Sequence, residues 1–127
     1  MRLADTLRYI VRLPWSERQR QLTAQRPRMT KDQFVTQTGT TELGLRAAAL
    51  LWDELQPWRA WDAFTPHPYD DFGEVFGLAE EELEEDIILK VLRALDVPIP
   101  DDHAIAMIGS IDIPRDLVRL IEAQRAV

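Results

Sequence analysis

Cysteine is absent from this chain, which removes disulfides, thiol nucleophiles, thiolate zinc sites and iron–sulfur clusters together. Serine occurs only as Ser16 and Ser110, and neither lies in the glycine-flanked pattern that exposes a nucleophilic hydroxyl. The five glycines never cluster into a phosphate-cradling loop. No apolar run approaches the ~20 residues that span a bilayer. The opening stretch, "MRLADTLRYIVRLPWSERQR", breaks every apolar segment with polar residues and holds no small-residue cleavage site, so no secretory signal is expected. Sustained period-2 alternation is missing as well, and the expectation is an all-α chain.

What the chain does have is charge, unevenly divided. Its 127 residues suit one domain or one small domain with an appendage, and 46% hydrophobic residues exclude wholesale disorder. Residues 1–60 carry ten Lys and Arg against six Asp and Glu (+4), whereas residues 61–127 carry five against sixteen (−11), for the net −7. The acidic half repels nucleic acid and membrane surfaces and favours a basic protein partner. The alternatives are that the two halves attract each other or that both are simply solvated.

Helical spacing organises most of the chain. Leu3, Leu7, Ile10 and Val11 share a side in a first helix from Leu3 to Leu13, which stops before Pro14. "PWSERQRQLTA" reads as a second short helix with Leu22 inward, closed by Pro27. Thr30 is a candidate cap for "MTKDQFVTQTG", with Gly39 as its stop. Thr41 caps the next helix, with Leu43, Ala47, Leu50, Leu51 and Leu55 spaced for burial and Pro57 at its end. Residues 58–77 hold two prolines, two glycines and six Trp, Phe or Tyr, which reads as an ordered loop pinned by large rings, with a helical turn around Asp70 to Phe76. The clearest helix follows, from about Glu80 to Leu95. Leu83, Ile87, Ile88, Val91, Leu92 and Leu95 form its stripe, and its six acids come early, as the helix dipole favours. A short helix around Ala104 to Ile108 and a last one from Pro114, capped by Asp112, complete the reading.

From Leu43 to Ala126 this order of lengths and apolar positions resembles the acyl carrier protein family, chiefly over residues 78–124. That family has a first helix, a long loop, an acidic second helix, an Ile-Pro-Asp-like segment ("VPIPDD" here), a short helix and a last helix. The resemblance implies a small helical bundle. It also implies that the acidic helix docks basic patches on partner proteins. The family bears its phosphopantetheine arm on a serine opening that helix. Here the matching positions are Glu81, Glu82 and Leu83, so the resemblance implies the bundle without the arm, and no cofactor is expected. The division that follows is a basic helical extension over residues 1–40 and an acidic carrier-like bundle over 41–127.

Other chemistries fare less well. His67, Asp70, Asp71 and His103 are metal-ligating types, but no paired-histidine spacing or calcium-loop pattern joins them or Asp101 and Asp102, and turn hydrogen bonding suits them better. Carboxylates for acid–base catalysis need burial that an exposed acidic run lacks. The helix–glycine–helix around Gly39, with Arg18, Arg20, Arg26, Arg28 and Lys31 for phosphates, superficially suits a helix-turn-helix. Beyond Thr40, Thr41 and Arg46, though, its second helix offers mostly Ala, Leu and Trp. Trp15, Trp52, Trp58 and Trp61 suit a core, with Trp58 and Trp61 also placed to anchor a partner. The expectation is a non-catalytic, cytoplasmic, bacterial-style protein–protein interaction module. Its partner surface comprises Glu80, Glu81, Glu82, Glu84, Glu85, Asp86, Trp58 and Trp61, with no metal. The alternative is a DNA-binding accessory protein acting through the N-terminal hairpin.

Overall fold

Thr30 and Thr41 open helices as their hydroxyls lead one to expect. In a computed structural model, which describes residues 13–98 and 111–125, Thr30 and Gln33 cap each other reciprocally at the start of α2 (Lys31–Thr38). Thr41 accepts the Gly44 amide at 3.0 Å to begin α3 (Glu42–Leu55). Before them lies α1 (Leu13–Gln25), with Pro14 in its first turn. After α3 a short 3₁₀ turn, Gln56–Trp58, carries Pro57. The acidic helix α4 is continuous through three windings, Glu80–Glu82, Leu83–Ile88 and Leu89–Ala94, and α5 is Pro114–Arg125. Among the described residues the chain is all-α, five helices and no strand. The expected helices Leu3 to Leu13 and Ala104 to Ile108 lie outside the described residues, as do His103, Asp101 and Asp102.

The helix α3 is central, packing against α2, α4 and α5. Its face of Gly44, Ala47, Ala48, Leu51 and Leu55 is buried, with small side chains letting neighbours approach closely. Leu117, Val118 and Ile121 from α5, and Ile87, Ile88, Val91 and Leu92 from α4, close the core around it. Gly39 ends α2 as expected, yet its φ of −96° is ordinary extended backbone. Glycine is required there by proximity: a Cβ would stand 2.5 Å from the Gly44 carbonyl carbon and 2.6 Å from the Leu45 nitrogen.

Three expectations are refined. The 58–77 loop is ordered by its rings, with Phe64, Phe72 and Phe76 buried and Phe64 edge-on to Phe76 at 5.7 Å; Tyr69 is mostly exposed. Asp112 is not the carboxylate that serves α5. Asp116, three residues into the first turn, accepts the Asp112 and Ile113 amides at 3.2 and 3.4 Å, because it can reach back over the start of the helix. Finally, α4 is not a uniform α-helix: Leu83–Ile88 is wound as a π-helix, and the Leu89 amide bonds five residues back to Glu84.

Candidate functional site

The acidic stretch begins with a half-formed cap. Ala79 has no side-chain acceptor, so only Glu82 contributes, its Oε1 accepting the Ala79 amide at 3.0 Å. Glu80, Glu81, Glu84, Glu85 and Asp86 are exposed. None of these five forms an ion pair among the described residues, where the pairs are Glu17–Arg20, Asp70–Arg26, Asp53–Lys31 and Glu54–Lys90. Lys90, one α-turn beyond Asp86, is the obvious local partner, but it reaches across to Glu54 on α3 at 3.4 Å. The acids in the first turn meet the positive end of the helix dipole. Those further along have no such compensation.

Beside these acids runs a groove of about 320 Å³, between the first turns of α4, the 71–73 segment and residues 111–112. Its walls are tied together by backbone bonds: the Phe72 amide donates to the Asp112 carbonyl at 2.8 Å, and the Leu78 amide to the Phe72 carbonyl at 3.1 Å. Asp71 is committed locally, its Oδ1 accepting the Gly73 and Glu74 amides at 2.8 Å each.

Trp58 and Trp61 do not line this groove. They sit where α1 clamps the loop, around a residue that the sequence reading missed. The Gln19 side chain is fully buried. Its Nε2 donates to the Val75 and Trp58 carbonyls (2.9 and 3.3 Å), and its Oε1 accepts the Ala60 and Trp61 amides (2.7 and 3.2 Å). Trp15 Nε1 donates to the Gly73 carbonyl at 3.1 Å, and its ring lies against Gly77, whose φ of +71° and lack of Cβ permit the approach. Arg26 grips the buried Asp70 in two-pronged fashion, at 2.6 and 2.8 Å, and stands over the Phe64 ring at 5.3 Å. Trp15, Gln19, Leu22 and Arg26 follow helical spacing, so the signal was present. It was masked because two of the four are polar.

Of the residues weighed for a metal, Asp70 and His67 belong to this clamp, while Asp71 bonds the amides of its own turn. Asp70 accepts from Arg26 and from the His67 amide, and no group of three His, Asp or Glu side chains suited to a metal occurs among the described residues. His67 Nε2 is buried with no hydrogen-bond partner among the described residues. Burial lowers the His67 pKa from its ordinary 6.5, with the Arg26 charge acting the same way and Asp70 and a Pro27 backbone bond opposing. At the proposed helix-turn-helix, the Glu122 carboxylate occupies the N-terminus of α3, accepting from the amides and hydroxyls of Thr40 and Thr41 at 2.6–2.9 Å. Three of the five candidate phosphate contacts, Arg20, Arg26 and Lys31, are paired with Glu17, Asp70 and Asp53. No helix among the described residues is long and apolar enough to cross a membrane. Comparison with protein-family models, curated proteins and solved structures returns no match.

Proposed function

We propose that this protein is a non-catalytic interaction module that docks a basic protein partner through the acidic first half of α4. One observation carries the reading: five exposed carboxylates on one short stretch of helix, with no cation pairing them among the described residues. Such a cluster repels itself, and a cationic surface relieves that repulsion while being steered towards it. The helix order Glu42–Leu55, a long connection, residues 80–94 and Pro114–Arg125 supports the carrier-like reading of 43–126, with Glu81 and Glu82 where that family has its serine. A cytoplasmic location belongs to the proposal on the cysteine-free composition.

The test is affinity capture from the native host at low salt. A basic protein is retained by the native chain, released as salt rises, and lost from a Glu81→Lys, Glu84→Lys, Glu85→Lys variant of unchanged helicity. Glu82 is left alone because its carboxylate caps the helix. Capture that survives charge reversal sinks the proposal.

A further inference from the structure

The groove beside α4 combines an apolar floor with an acidic rim. Its floor includes Phe72, Leu83 and Ile88, and its rim carries Glu80 and Glu84 on one side and Asp112 on the other. Leu83 and Ile88 are five residues apart. In a regular α-helix of 3.6 residues per turn they would diverge by well over a quarter turn and could not face one groove. The π winding of Leu83–Ile88 brings the fifth residue back towards the first, so both line it. Ile88 and Phe72 are buried, and Leu83 is half-buried at the mouth. The walls are pre-set by the Phe72–Asp112 and Leu78–Phe72 backbone bonds.

We infer that this groove seats one large apolar side chain of a basic segment in the partner protein, with lysines or arginines on either side of that anchor reaching the rim carboxylates. The inference rests on the docking-face reading and says where on that face the contact is made. The occupant follows from charge. Among the described residues, the rim's ionisable side chains are all carboxylates, so it selects a cation and rejects an anion. At about 320 Å³ the groove is at the small end of ligand pockets, room for an anchoring side chain and not for an extended cofactor. Glu81 and Glu85 continue the acidic surface along the same helix, so a chain leaving the groove passes over further carboxylates. Long basic side chains suit such a seat, because their stems cover apolar surface while their heads remain at the rim.

Two synthetic peptides of alternating lysine and arginine test this by fluorescence anisotropy, one with a central leucine and the other with glycine in its place. At low salt the leucine peptide is expected to bind roughly tenfold more tightly, the gain for withdrawing most of one leucine from water. Leu83→Gln, which makes the mouth polar, and Gly73→Val, which narrows the opposite wall, should each erase that preference. Folding of both variants is checked by circular dichroism. Glu80→Gln with Glu84→Gln should weaken both peptides. Equal binding of the two peptides, or a leucine preference that persists in both groove variants, overturns the groove as the seat while the docking face stands. If neither peptide binds at low salt, the docking face falls too. Self-association of the chain that the leucine peptide displaces assigns the groove to a second copy, and so overturns the assignment to another protein.

Discussion

His67 and Glu122 hold their protons less tightly in the folded chain than they ordinarily would, for opposite reasons. Burial beside Arg26 works against the His67 cation, and a proton added at Nε2 would create a donor with no acceptor among the described residues. For Glu122 burial alone would raise the pKa, but the hydrogen bonds from Thr40 and Thr41 outweigh it and hold the carboxyl below its ordinary 4.5. In both cases the unfolded chain binds more protons, so stability falls as pH falls. The His67 contribution is complete above pH 6.5 and is lost as pH drops through its lower folded value; that of Glu122 persists until pH falls below 4.5. Urea melts across this range should show two successive losses. His67→Gln should remove the first and Glu122→Gln should flatten the second. Neither role was legible in the sequence. A histidine between two prolines and a glutamate near the C-terminus acquire these properties only from neighbours about 40 and 80 residues away, such as Arg26 for His67 and Thr40 for Glu122.

Helices were the most legible level, since their signals are local. Thr30, Thr41 and Pro57 mark boundaries because each acts on backbone groups within one turn of itself. The π winding was hidden for a related reason. Leu83 followed by both Ile87 and Ile88 satisfies an α-turn and a wider turn equally well, and the segment adopts the wider one where it packs against α3. The end of α4 was hidden as well. Asp96 takes a left-handed φ of +55°, while the Asp96 amide bonds to Arg93 and the Val97 amide to Leu92, a closing motif that glycine ordinarily serves. A non-glycine residue there carries a steric cost. Asp96→Gly is therefore expected to stabilise the protein by about 0.5–1 kcal/mol, read as a higher urea midpoint with an unchanged slope. A lower midpoint would mean that the aspartate side chain contributes more than its backbone strain costs.

At the scale of the molecule, charge divides the chain into a basic N-terminal region and an acidic remainder, leaving open whether the two pack together; α1 is fastened to the 58–77 loop by Trp15, Gln19 and Arg26. Composition located the loop and its aromatic content. It did not show that a glutamine and an arginine hold the loop in place. Gln19→Leu keeps the volume and leaves the Val75 carbonyl and the Ala60 and Trp61 amides without their partner, which should cost about 2–4 kcal/mol in denaturant unfolding. An unchanged midpoint would show that water replaces the amide without loss. The same clamp has a kinetic side. The bonds from Trp15 to Gly73, Gln19 to Val75 and Arg26 to Asp70 join residues 58, 56 and 44 positions apart. Contacts so distant along the chain form only after much loop-closure entropy has been given up. Because α1 precedes the loop along the chain, it must wait for the loop before it can lock, making its docking a late event in folding and amide exchange around Ala60 and Trp61 the place to watch it.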